Sequence, residues 1–215
     1  MKSQPSPELR PSSVRKRQAM IESGAIAFLS DGFRAASMDE IADRAGVSKQ
    51  TLYTHFGNKK KLFVAVVDDR TAAASERVRA ALADQHEEAD VPKYLEDIAR
   101  TLLDAVLVPD LVELRRLVIG ESRRFPEIAR AFWTGGPERA ITEIAERLAR
   151  LTADGLLSAP DSHLAATTFN WLVMAAPLNG SMMQDGTLPT ARARHRHAAE
   201  ATRVFWAAYG PPAAV

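Results

Sequence analysis

Twenty-five residues, Ser37 to Lys61 (SMDEIADRAGVSKQTLYTHFGNKKK), constrain this chain more than any other stretch. Ser37 is placed to cap a first helix, and Glu40, three residues on, to complete a capping box. Ile41, Ala42 and Ala45 give that helix a small apolar face. Gly46 falls where a helix C-terminus needs a left-handed residue, and Ser48 is positioned as the cap of a second helix. Lys49 to His55 then has room for about two turns. Leu52 is its main apolar anchor, and Phe56 follows directly. A helix so short and polar cannot stand alone. Its other faces carry Lys49, Gln50, Thr51, Tyr53 and His55. A thin apolar seam beside several polar donors suits a helix that enters a DNA major groove.

Asn58 is placed as the next N-cap, and Lys59, Lys60 and Lys61 follow it. Three cations in a first helical turn oppose the helix dipole, each at a cost of a few tenths of a kcal/mol. An anion such as a DNA phosphate at that helix end would reverse the sign. The lysines taken alone fit a solvated basic end equally well. Beside a helix-turn-helix pattern, phosphate contact is the better reading.

Residues 14–68 resemble the N-terminal domain of the TetR family of transcriptional repressors. The resemblance rests on Ala42-Asp43-Arg44-Ala45-Gly46-Val47-Ser48, on Thr51-Leu52-Tyr53-Thr54-His55-Phe56, and on Asn58-Lys59 and Leu62, at fixed spacing without gaps. It covers about a quarter of the chain. One departure is that Lys60 and Lys61 stand where the family often has an acidic residue after the matching lysine. The resemblance implies that Lys49, Gln50 and Thr51 lie where bases are read and that Tyr53 and His55 hold the DNA backbone. With Ser37, Ser48 and Lys59 these form the expected DNA-binding set. It also implies a homodimer joined through the last two helices, and a body that binds a small, often apolar effector.

Composition agrees with that division. The 215 residues are 46% hydrophobic and 26% charged, an ordinary globular balance. Net charge is only +1, but residues 1–61 hold eleven Lys/Arg against six Asp/Glu, or +5, and the remainder holds −4. A basic head on a mildly acidic body fits DNA binding joined to regulation. The absence of cysteine removes any disulfide framework or thiol nucleophile and fits a reducing cytoplasm. No apolar run is long enough to cross a membrane. Residues 1–12, rich in Pro and Ser, read as a disordered arm.

The expected organisation is all-α: a helix-turn-helix head over 13–61 and a helical ligand-binding and dimerisation body over 62–215. About nine or ten helices and no sheet are expected. Ile21, Ala25, Phe28 and Leu29 form the stripe of the first helix, and Phe33 is expected to plug the small core of the head. A long helix runs from Leu62 to about residue 83, and Asp84 to Asp90 form an acidic loop. Pro92 and Pro109 start further helices. Gly135-Gly136-Pro137 is expected to break the helix holding Phe132 and Trp133. Pro177 is expected to kink or interrupt the long helix after Asp161. A last helix ends near Tyr209.

No glycine-rich phosphate loop, nucleophile elbow or zinc-binding helix motif occurs. His195 and His197 are two apart and point to different faces of a helix, so no metal or cofactor site is expected and the chain is not read as an enzyme. Leu103, Phe125, Phe132, Trp133, Asn170, Trp171 and Met174 are the expected ligand-binding residues, with Arg123 a further polar contact. Large aromatic and Met side chains line many pockets, although they fill ordinary cores too. Ala165, Ala166, Ala175, Ala176, Ala198, Ala199, Ala201 and Val204 are small enough for close packing in a dimer. The reading is a repressor that leaves double-stranded operator DNA when a small apolar effector binds. Two alternatives stay open: a constitutive regulator with a filled core, and a helical enzyme or carrier that kept a DNA-binding-like head.

Overall fold

Proline, glycine and capping side chains divide the chain into helices, and the computed structural model describes residues 11–83, 90–184 and 187–211. The expected N-terminal arm up to residue 10 and the acidic loop at 84–89 lie outside the described residues. Among the described residues the structure is helical throughout: α1 (Pro11–Ala35), α2 (Met38–Arg44), α3 (Lys49–Phe56), α4 (Lys59–Leu82), α5 (Val91–Val106), α6 (Pro109–Glu121), α7 (Pro126–Trp133), α8 (Arg139–Ala153), α9 (Ser162–Met183) and α10 (Ala191–Tyr209). The chain forms two compact units, residues 1–69 and 70–215.

In the first unit α1, α2, α3 and the first half of α4 enclose Met20, Ile21, Phe28, Ile41, Leu52, Leu62, Phe63 and Val66. Gly32 adopts φ 76°, a conformation that L side chains rarely accept, and breaks the helical path of α1 there. Phe33 is buried beyond that break, 5.9 Å from Phe28 and 5.3 Å from Phe63, so it plugs the head as expected. Gly24 lets α1 approach α4: a Cβ there would lie 3.3 Å from Val66 Cγ2.

The second unit packs α5, α8, α9 and α10 around one core. Leu95, Ile98, Leu102, Ile144, Leu148, Phe169, Val173 and Phe205 are buried in it. Phe205 stacks on Tyr209 and meets Phe169 edge-on at 5.0 Å. Arg147 lies over the Tyr94 ring and donates Nε to its hydroxyl at 3.1 Å, while that hydroxyl donates to Leu82 O. Burial lowers the pKa of Arg147. Ala165, Ala166, Ala198 and Ala201 are buried in this same core. The small residues expected at a dimer interface therefore serve, in those four cases, to bring helices of one chain together. Ala176 and Val204 are exposed.

The helices run on through two stretches where a break is one expectation. The glycines and proline after Trp133 form a π-helical turn, Thr134–Glu138, that carries α7 directly into α8. A Cβ on Gly135 would lie 2.9 Å from Thr71 Oγ1, and Ser75 Oγ donates to Gly135 O at 3.0 Å. The glycines thus allow close approach to α4 and do not end the helix. Nor does Pro177 interrupt α9, which continues to Met183. Pro177 has no N–H for Val173 O, its partner four residues back. His197 of α10 supplies one: Nε2 lies 3.0 Å from Val173 O and 3.1 Å from Leu172 O. Facing two carbonyls, that nitrogen must carry the proton.

This pairing gives a prediction. His197→Leu leaves a half-buried carbonyl unsatisfied and lowers stability by about 1–3 kcal/mol. Pro177→Ala restores an N–H for Val173 O, so the double variant recovers most of that loss. Urea unfolding of the two single variants and the double measures it; simple additivity would show that His197 does not serve this carbonyl.

Candidate functional site

The head presents α3 by its caps. Ser37 Oγ accepts from Asp39 N and Glu40 N and starts α2. Gly46 turns the chain at φ 65°. Ser48 Oγ accepts from Thr51 N at 3.1 Å and also pairs with the Thr51 hydroxyl at 2.8 Å. Leu52 and Phe56 are buried, and Arg17 of α1 lies over the Phe56 ring. Lys49, Gln50, Tyr53, Thr54 and His55 are exposed together on α3. Thr54 Oγ1 donates to Gln50 O, which leaves the Gln50 amide outside that bond. Lys49 Nζ donates to Asp39 of α2 at 2.5 Å, and that hydrogen bond raises the lysine pKa. Both side chains are at least half exposed, so the pair is worth little against solvent and is easily exchanged for a base or phosphate.

The basic end of α4 has hydrogen-bond partners within the head. Asn58 caps it, its Oδ1 accepting from Lys61 N at 2.9 Å. Lys59 Nζ, expected at a phosphate, donates to Arg34 O and Ala36 O, both at 2.9 Å, and lies 5.1 Å from the Phe33 ring centre. These carbonyls belong to the end of α1 and the link to α2, where a helix leaves acceptors without partners. Two of the ammonium's three donors are thus committed within the head. The sequence shows the lysine at an unfavourable helix start but not the carbonyls that compensate it.

The second unit contains an apolar cavity of about 60 Å³. Its lining comes from the second half of α4 (Thr71, Ala74, Ser75, Val78), from α5 (Leu102, Val106), α6 (Leu111, Arg115) and the π-helical turn, and from α9 (Asn170, Trp171, Met174, Leu178). A more open outer chamber of about 310 Å³ shares Arg115, Phe132, Trp171 and Leu178 and adds Trp133, Asn179 and Met182. Of the expected ligand residues, Phe132, Asn170, Trp171 and Met174 line the inner chamber, and Trp133 lines the outer one. Leu103 does not; it is fully buried in the core, and its neighbour Leu102 faces the cavity. Phe125 does not either, and lies half-buried beside Arg124. Arg123 is exposed and off the lining. The cation at the cavity is Arg115, whose guanidinium lies 5.3 Å from the Phe132 ring centre and whose pKa burial lowers. Adjacent to Arg116 on a helix, it reads in sequence as a solvent-facing charge.

Among the described residues, no group of three or more His, Cys, Asp or Glu is placed to hold a metal, and no helix is long and apolar enough to cross a membrane.

Residues 21–66 match the family described as bacterial regulatory proteins, tetR family. Residues 93–211, more than half of the chain, match the C-terminal domain of AefR-like transcriptional repressors. A TetR-family transcriptional regulator from Mesorhizobium loti has a solved structure that superposes with a TM-score of 0.88 at 32% identity, over 94% of this chain and 100% of that one. The flavonoid-responsive regulator FrrA superposes with a TM-score of 0.76, also at 32% identity, over 93% and 100%. The transcriptional activator FasR of Mycolicibacterium smegmatis is 44% identical over 72 residues, 34% of this chain and 32% of its own length. The repressor AcnR of Corynebacterium efficiens is 26% identical over 64% of this chain and 66% of its own. The chain thus spans about a third of the first of these two curated relatives and just under two thirds of the second.

The geometry at Lys59 is testable without DNA. Lys59→Gln loses a cation from two carbonyls and an aromatic face, and lowers the stability of the free protein by about 1–3 kcal/mol. Thermal unfolding reads the change. An unaltered melting temperature would mean that these bonds contribute nothing and would free Lys59 for phosphate.

Proposed function

We propose that this chain, which belongs to the TetR family of transcriptional regulators, is a cytoplasmic repressor that binds operator DNA as a dimer and is released by a small, largely apolar effector. The observation that carries the effector half is the cavity between α4, α5, α6 and α9, which is lined mostly by carbon and shares Arg115, Phe132, Trp171 and Leu178 with the outer chamber. The constitutive alternative, a regulator with a filled core, gives this space no role. The exposed face of α3 supports DNA reading, with Lys49 suited to guanine and Gln50 to adenine.

The release mechanism follows from α4. Its first half contributes Leu62, Phe63 and Val66 to the core of the head unit. Its second half contributes Thr71, Ser75 and Val78 to the cavity wall. A ligand that prefers one placement of this wall shifts the population of head arrangements by its differential affinity. Two groove-reading helices need half-sites about 34–36 Å apart, or a multiple, so a modest change in their spacing lowers operator affinity. A gel shift on the DNA upstream of the chain's own gene, repeated with a panel of apolar compounds, tests both halves. DNA binding that no compound alters would favour the constitutive alternative.

Two variants probe the parts. Lys49→Ala weakens operator binding about tenfold to a hundredfold and relaxes base preference at one position; equal loss on random DNA would assign Lys49 to phosphate. For the dimer, Val204 is exposed on α10, and Val204→Arg places a cation one turn after Glu200, which does not harm the isolated helix. In a dimer joined through this face the two cations would oppose each other, so ultracentrifugation should show monomers. A persistent dimer would put the interface elsewhere.

A further inference from the structure

We infer that the effector is an amphiphile with an anionic head, a carboxylate or phenolate, whose apolar body fills the inner chamber and whose head meets Arg115. The inference rests on the effector reading above and names that effector's chemical class.

Charge and hydrogen bonding at the cavity point this way. Arg115 is the one ionisable residue among the described residues lining the two chambers, and it belongs to both. Among the described residues it has no hydrogen-bond or ion-pair partner. Glu113, two residues before it, instead accepts from Arg116. The Phe132 ring attracts the cation but cannot satisfy five N–H donors. An arginine stays charged even where burial disfavours it, so among the described residues the lining holds one positive charge with no anionic partner, in apolar surroundings.

The second observation is Asn170 of α9. It is 4% exposed and lines the inner chamber, and its side-chain amide has no hydrogen-bond partner among the described residues. Ser75, by contrast, already donates to Gly135 O. A purely apolar ligand would remove water from Arg115 and Asn170 and give nothing back, which is costly. An anionic head offers Arg115 the paired acceptors its fork fits. A further oxygen on the ligand can use the Asn170 amide. Trp171, Met174 and Leu178 provide the surface for the apolar body.

The test uses the purified full chain and its tryptophan fluorescence, since Trp171 and Trp133 line the chambers. The probes are decanoate and 2-naphthoate, each beside its methyl ester. At least one acid should bind tenfold or more tightly than its ester, and comparing the two acids tells an alkyl body from an aromatic one. Arg115→Met should abolish the acid's preference over its ester, with the ester binding no more weakly than before because no cation then loses its water; Arg115→Lys should keep part of the preference. Circular dichroism of each variant checks its fold, and the wild-type acid-to-ester ratio decides the matter even if Arg115→Met does not fold. Esters that bind as tightly as acids, or an acid preference that persists in Arg115→Met, would overturn the anionic head while leaving an apolar effector standing. Failure of all four probes to bind would overturn this inference. The effector reading itself falls separately, if no compound in the gel-shift panel alters DNA binding.

Discussion

The constraint on which this structure depends is the supply of hydrogen-bond donors to backbone carbonyls that the helices cannot satisfy themselves. Every α-helix ends with carbonyls that lack an intrahelical partner, and a proline adds another. Side chains from elsewhere meet several of these needs. Lys59 serves Arg34 O and Ala36 O after α1. Arg116 of α6 serves Ser181 O, Met182 O and Gln184 O at the end of α9. His197 of α10 serves Val173 O and Leu172 O inside α9. Each bond closes a local deficit and also ties one helix to another, so the same interactions that complete the backbone fix the helix packing.

The cavity arises from the same economy of backbone and side chain. The π-helical turn brings Gly136 and Pro137 to the lining while keeping α7 and α8 continuous. Two residues without Cβ allow the turn to sit against Thr71 and Ser75, and the Ser75–Gly135 bond holds it there. π-Turns are often found at functional sites, and here the wider turn forms part of the chamber wall. The same helix α4 that meets this turn through Thr71 and Ser75 buries Leu62, Phe63, Val66 and Val67 in its first half.

The sequence reveals the parts of this fold that depend on local rules. Ser37, Ser48, Asn58 and Asp161 cap helices because capping needs only a side-chain oxygen two or three residues away. Gly32, Gly46, Gly57 and Gly155 take positive φ where helices stop or bend. The exposed face of α3 follows from the positions of Leu52 and Phe56. Tertiary convergence is less visible. Leu102 and Leu103 are adjacent and almost fully buried alike, and periodicity separates inside from outside but not a filled core from a hollow one. Ala198 and Ala201 have the composition of an interface but pack within their own chain. Pro177 and Gly135-Gly136-Pro137 carry strong break signals, and both are overridden by partners distant in sequence: His197 in the first case and Thr71 with Ser75 in the second.

Comparing the cations of the second unit shows what sets Arg115 apart. Arg116, one residue on, donates to three carbonyls and to Glu113. Arg194 donates to Asp104 and Pro189 O. Arg147 is buried, yet its Nε donates to the Tyr94 hydroxyl, which in turn donates a hydrogen bond to Leu82 O. Arg194, Arg116 and Arg147 thus all have hydrogen-bond acceptors. Arg115 is held at the junction of two apolar chambers with only an aromatic ring beside it among the described residues. A long flexible side chain could turn outward to water at little cost, so a guanidinium kept at the cavity while its neighbour completes a helix end is an unusual use of a charge. The packing that gives Arg116 its carbonyls fixes the rotation of α6, and that rotation brings the preceding residue to the chambers. Cavity polarity here is thus a consequence of how a neighbouring helix end is completed.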